Sequence, residues 1–234
     1  MMNRQLLLDV LPVPAPTLGN YIAGPNGEAM AAARALRPGQ ALYLWGPAGC
    51  GRSHLLRALA AGSGGIYLDA ECEAGALQAF AQADAADTLP RLVAVDDVHR
   101  MDEARQAGLF ALYNRWRESA ATERAFALAV AGDRAPLAMP LREDLRTRLG
   151  WGLVFRLDPL SDADKLAALT AQAAERGLQL SPEVANWMIT HYERDIRKLA
   201  ALLDALDRYS LATRRAITLP LLRTMLADPE SNTP

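Results

Sequence analysis

Two cysteines and three histidines in 234 residues leave little from which to build a metal centre or a disulfide framework. Cys50 and Cys72 have no His or Cys partner at metal-ligand spacing, so a reducing, cytoplasmic setting is the expectation. There is no block of Lys or Arg: 25 basic residues face 27 acidic ones, and the net charge of −2 advertises no nucleic-acid surface. DNA binding by this chain alone is not expected. The longest apolar run near the start, Leu6-Leu7-Leu8, is interrupted by Asp9 and is too short for a membrane span or a secretory core. What the chain has in quantity is apolar side chain, 51% of residues, enough for one large domain or two smaller ones.

Against that background one stretch stands out, Gly46-Pro47-Ala48-Gly49-Cys50-Gly51-Arg52-Ser53, a phosphate-binding loop in every position but one. It follows the apolar run Ala41 to Trp45 and opens into His54-Leu55-Leu56, the strand, loop and helix context that the motif needs. Gly46, Gly49 and Gly51 allow the backbone to curl so that amide N–H groups and the positive end of a helix surround a phosphate. Ser53 is the expected Mg²⁺ ligand. Arg52 stands where the motif has Lys, and exchanges a compact ammonium for a planar fork, which should spare binding more than hydrolysis.

A second apolar run, Leu92 to Val95, ends in Asp96-Asp97, the form of a Walker B element. Asp96 would hold Mg²⁺ and Asp97 would orient the attacking water. A third, Phe126 to Ala131, ends at Gly132-Asp133-Arg134, which makes Asp133 a candidate γ-phosphate sensor; a Gly-Asp turn at a strand end would account for the same residues. Five strand-like runs in all (41–45, 65–69, 92–95, 125–131, 153–157) alternate with helical stretches, which predicts an α/β core with a parallel sheet. The Ala-rich stretch 74–86 reads as an exposed helix. After Pro159 the periodicity is helical throughout (162–176, 182–191, 195–209, 219–226), and predicts a separate helical subdomain. At the front, Leu11-Pro12-Val13-Pro14-Ala15-Pro16 reads as an extended linker.

Thr17-Leu18-Gly19-Asn20-Tyr21-Ile22-Ala23-Gly24-Pro25-Asn26 and Ala31-Ala32-Ala33-Arg34-Ala35, with His54-Leu55-Leu56, Asp96-Asp97, Gly132-Asp133-Arg134 and Leu145 to Gly152, resemble the DnaA family of AAA+ ATPases over roughly residues 17 to 227. The resemblance implies an AAA+ phosphate-loop core with a five-stranded parallel sheet over 17–158, a helical lid over 159–227 and a tail over 228–234. It further implies ADP or ATP with Mg²⁺ as cofactors. The nucleotide would lie among Tyr21, Ile22, Gly46, Gly49, Gly51, Arg52, Ser53 and His54, with Asp133 as sensor 1 and Arg197 of the lid as sensor 2. Arg197 would read as a solvated helix residue without the resemblance. Arg148 matches the family's arginine finger, which completes a neighbour's ATP site in trans; Arg146 and Arg142 are its nearby alternatives.

The family's DNA reader, a helix-turn-helix domain, has no counterpart before Pro234. Gln5-Leu6-Leu7-Leu8-Asp9-Val10 resembles instead the Gln-Leu-x-Leu peptide that binds the DNA polymerase sliding clamp, with Gln5, Leu6, Leu8 and Val10 as the contacts, although Leu7 replaces a usually small polar residue and the closing aromatic is missing. As a free apolar hexapeptide it could equally carry no function. The combination resembles a regulatory branch of the family that stimulates hydrolysis of DnaA-bound ATP and so prevents re-initiation. The partners implied are the sliding clamp and DnaA, with a homodimer left open, DNA reached only indirectly and no membrane. A helicase loader and a stand-alone phosphate-loop ATPase are the alternatives.

Overall fold

Leu42 and Leu44 turn to one face of a sheet while Ala41 and Tyr43 turn to the other, and this alternation organises the first part of the chain. The computed structural model describes residues 14–73, 75–83, 90–192 and 195–227. Five strands, β1 (Ala41–Trp45), β2 (Ile66–Leu68), β3 (Leu92–Val95), β4 (Ala127–Gly132) and β5 (Leu153–Arg156), form one parallel sheet in the order β2-β3-β4-β1-β5. Most are apolar on both faces, as a sheet covered on both sides requires. One face, with Leu42, Leu44, Ala94 and Ala129, packs on α1 (Gly27–Ala35) and α2 (Arg52–Ser63) through Met30, Leu55, Leu56 and Leu59. The other, with Tyr43, Val93, Val95, Leu128 and Val130, packs on α3 (Ala76–Gln82), α4 (Glu103–Ser119) and α5 (Glu143–Leu149). At about 1.5–3 kcal/mol for each fully buried aliphatic side chain, these two layers are what hold the strand ends in register.

The register places the functional segments. Trp45 lies beside Gly132, Val95 beside Val130 and Leu68 beside Val95, so the loops leaving β1, β3 and β4 all emerge at the carboxyl edge of the sheet. In open parallel sheets that edge is where ligands bind.

Residues 16–159 form one unit and residues from Leu160 onward another. The second consists of α6 (Asp162–Glu175), α7 (Pro182–His191), α8 (Ile196–Thr213) and α9 (Leu219–Ala227) around Leu169, Met188, Leu199, Leu202, Leu206 and Leu222. The first three starts have a chemical cause. Ser161 and Asp164 form a reciprocal capping box on α6, Ser181 caps α7 ahead of Pro182, and Asp195 caps α8.

The strands fall where hydrophobic patterning puts them, within two residues at each end. The expected exposed helix over 74–86 differs: α3 covers Ala76–Gln82 and Leu77 is fully buried. The reason is Gly108 on α4, where an added Cβ would come within 2.8 Å of the Leu77 Cβ; the missing side chain lets α3 settle onto α4. Residues 74 and 84–89 lie outside the described residues, as do Gln5, Leu6, Leu8 and Val10 of the candidate clamp peptide. Among the described residues no helix is long and apolar enough to cross a membrane.

Candidate nucleotide site and arginine face

The turn after β1 is a cradle that only glycine can line. Gly46 has φ 159°, and a Cβ there would collide with the carbonyl oxygen of Leu157. Gly51, at φ 96°, is the N-cap of α2, and a Cβ there would lie 3.0 Å from Cε2 of Tyr21. The turn delivers the open amino end of a twelve-residue helix to the carboxyl edge of the sheet, with Arg52 and Ser53 in its first turn and no side-chain cap on its N–H groups. An amino end without a side-chain cap, with the helix dipole behind it, suits an anion.

Tyr21 lies over this turn, its ring edge-on to His54 at 5.5 Å, and burial followed by the charge of Cys50 pushes its hydroxyl up to about 12. His54 Nε2 lies 3.1 Å from the carbonyl oxygen of Thr17, so His54 ties the 17–21 segment to α2. Ile22 is half-buried in the same segment.

Arg52 does not extend into solvent. Its Nη1 donates to the carbonyl oxygens of Gly46 (2.8 Å) and Gly132, and its Nη2 lies 3.6 Å from Oδ1 of Asp97. One guanidinium thus ties together the ends of β1, β3 and β4, and only 10% of its side chain is exposed. A lysine ammonium, a single point of charge, does not present such a fork. Asp97 has φ 50°, a left-handed conformation that Asp tolerates but that costs on the order of 1 kcal/mol. Arg52, His99 (4.0 Å) and Arg100 (3.9 Å) surround its carboxylate.

Asp96 is the buried carboxylate of the site, 0% exposed. Its Oδ1 accepts the N–H of Asp97 and its Oδ2 the hydroxyl of Tyr67, each at 2.8 Å. Asp133 lies at the end of β4, where Arg134 donates to both its oxygens (3.0 and 2.7 Å) and holds it below the usual carboxylate range. Arg197 is in the lid unit and pairs in the same bidentate way with Asp195, the cap of its own helix (3.2 and 2.7 Å).

The residues fit a nucleotide with Mg²⁺. The cradle excludes side chains at Gly46 and Gly51, and Ser53 and Asp96 would supply hard oxygen donors of the kind that Mg²⁺ takes. No group of three or more His, Cys, Asp or Glu is arranged for a metal among the described residues.

Arg148 belongs to a different part of the core. It ends α5, donates to Oδ1 of Asn114 on α4 (3.0 Å) and to the carbonyl oxygen of Asp144 (3.1 Å), and lies between Phe110 (3.8 Å) and Trp151 (4.8 Å). Arg142 flanks Phe110 at 5.5 Å and Arg117 flanks Trp151 at 4.5 Å, so three arginines alternate with two aromatic rings. Phe110, Asn114 and Arg117 form one stripe of α4. Trp116, nearby on that helix, donates to the carbonyl oxygen of Gln40, the residue before β1, which places this face toward the amino edge of the sheet. Arg146 has other contacts: its Nη1 reaches the carbonyl oxygen of Leu137 at 3.4 Å.

Tyr67, His99, Asn114 and the aromatic pair escape a reading of motifs. Tyr67 and Asn114 meet their partners 29 and 34 residues away, and only strand order and helix packing reveal the pairing.

Residues 162–226 match the family model described as the Hda lid domain. The core has the AAA+ fold. The chain superposes on domain III of the replication initiation protein DnaA from Thermotoga maritima with a TM-score of 0.65, 21% identity and coverage of 93% of this chain and 98% of that one. AMPPCP-bound DnaA from Aquifex aeolicus matches at 0.63 and 20%, over 84% of this chain and 66% of that one. RuvB from Thermotoga maritima, in a mutant form, matches at 0.61 and 16%, over 94% and 73%. The chain is thus similar to Hda in its helical unit and to domain III of DnaA in its fold.

Proposed function

We propose that this chain regulates replication initiation by acting on DnaA. It holds ADP or ATP with Mg²⁺ at the phosphate loop, binds the sliding clamp through residues 5–10, and stimulates hydrolysis of DnaA-bound ATP by inserting Arg148 into the partner's site. The observation that carries this reading is the separation of two sets of residues on one core. The phosphate loop, Asp96 and Asp97 lie at the carboxyl edge of the sheet, while Arg148 is held by Asn114 on α4, the helix whose Trp116 bonds Gln40 at the amino edge. The bonds and ring contacts that hold Arg148 are with Asn114, Asp144, Phe110 and Trp151, none of them a residue of its own chain's nucleotide site. On this reading Arg148 acts in another subunit, where a positive charge against the γ-phosphate stabilises the charge spreading in the transition state.

The chain's own site suits binding better than turnover. Asp97, which would orient the water on this reading, is ion-paired to Arg52, and Arg52 is committed to two carbonyl oxygens as well. The Hda lid and the AMPPCP held by the Aquifex relative support the nucleotide and the branch of the family. The experiment is hydrolysis of radiolabelled ATP bound to DnaA, with clamp loaded on DNA, in the presence and absence of this chain. Acceleration that needs both clamp and Arg148 is the expected result; brisk ATP turnover by this chain alone would instead make it a stand-alone ATPase.

A further inference from the structure

A carboxylate with no exposed surface needs donors in place of water, and Asp96 has two. One is the backbone N–H of the next residue. The other is the phenol of Tyr67, which arrives from β2, the strand beside β3, and donates to Oδ2 at 2.8 Å. The Tyr67 ring is itself covered by the guanidinium of Arg57, 4.7 Å above its centre. Arg57 lies one turn along α2 from Ser53, on the same side of the helix. The line Ser53, Arg57, Tyr67, Asp96 thus joins the helix that carries one Mg²⁺ donor to the strand end that carries the other.

We propose that Tyr67 is a positioning residue for Mg²⁺: its hydroxyl fixes the plane of the Asp96 carboxylate and sets the distance between that carboxylate and the helix bearing Ser53. This rests on the reading of the site as a nucleotide and Mg²⁺ site. Each carboxylate oxygen keeps a lone pair beyond the one already used, so the phenol orients the group without consuming its capacity for the ion or for a water on it. Outer partners of metal ligands of this kind typically change metal affinity by about 10–100-fold.

Tyr67→Phe is the test, since it keeps the ring under Arg57 and removes the hydroxyl alone. Binding of fluorescent ADP is followed at fixed protein as Mg²⁺ is raised from EDTA-buffered zero. The Mg²⁺ concentration at half effect should rise about tenfold or more, while ADP affinity in EDTA stays within about twofold of the parent. In an Asp96→Asn background, which removes the charge that the phenol orients, Tyr67→Phe should add nothing, and a fall in melting temperature without ADP would be the same in both backgrounds. An unchanged Mg²⁺ dependence in Tyr67→Phe, with ADP still bound, overturns the proposal and leaves the nucleotide reading intact. Absence of ADP binding, or of any Mg²⁺ dependence, in the parent chain overturns both.

Discussion

Arg52 replaces one contact with three. A lysine at this place of a phosphate loop reaches the β- and γ-phosphates as a point charge; here a fork ties Gly46, Gly132 and Asp97 together. Arg52→Lys should release Asp97, keep ADP affinity within a few-fold and raise the slow single-turnover hydrolysis of ATP by about 10²-fold, the lower end for restoring a positioned base. Unchanged turnover would mean that the ion pair does not restrain Asp97. Gly51→Ala should act differently. The side chain would be strained at φ 96° and would press on Tyr21, so ADP should no longer raise the melting temperature even where the fold survives. That Arg departs from the motif is visible in the sequence; that it is tied to Gly132 is not, because the two are 80 residues apart and meet only through the β1–β4 pairing.

At the scale of elements, patterning and caps carry most of the structure. β1, β3 and α7 coincide with their expected spans, and the apolar runs that announce them are the ones the sheet and the lid bury. What patterning could not show is contact between elements: Leu77 disappears into the core only because Gly108 admits it. In the lid, Asp195 accepts the N–H of Arg197 and pairs with its guanidinium. Burial raises its pKa, but the bonds and charge of Arg197 outweigh this and hold it below the ordinary carboxylate range. A depressed pKa adds stability above the unfolded value of about 4, and that stability is lost as the pH falls through the folded value. Asp195→Ala should therefore lower stability by about 1 kcal/mol at pH 7. In melts repeated down the pH scale, the gap between parent and variant should close below about pH 4; a gap independent of pH would show that the pair contributes nothing beyond packing.

For the whole molecule, the question is how an apolar peptide, a nucleotide site and an arginine face divide the work. The peptide is legible only as a resemblance to a motif, and its residues lie outside the described ones. Replacing Gln5 and Leu8 by Ala should abolish capture on immobilised clamp while the melting temperature and ADP binding stay those of the parent, since the peptide loses a rim hydrogen bond and an anchor. Equal capture would reject the motif. The arginine face was legible as one residue of a family pattern; its setting, with Arg148 between Phe110 and Trp151 and bonded to Asn114, required the packing of α4 against α5. On the proposed function, those contacts would hold the guanidinium in place before any partner arrives and so lower the cost of ordering it in a partner's site.

Hydrolysis of DnaA-bound ATP, measured on clamp-loaded DNA with the parent chain, Arg148→Ala and Arg146→Ala side by side, tests this division most directly. The parent should accelerate hydrolysis, Arg146→Ala should remain close to it, and Arg148→Ala should lose about 10³-fold or more of the acceleration while still binding ADP and clamp. Full stimulation by Arg148→Ala would contradict the account.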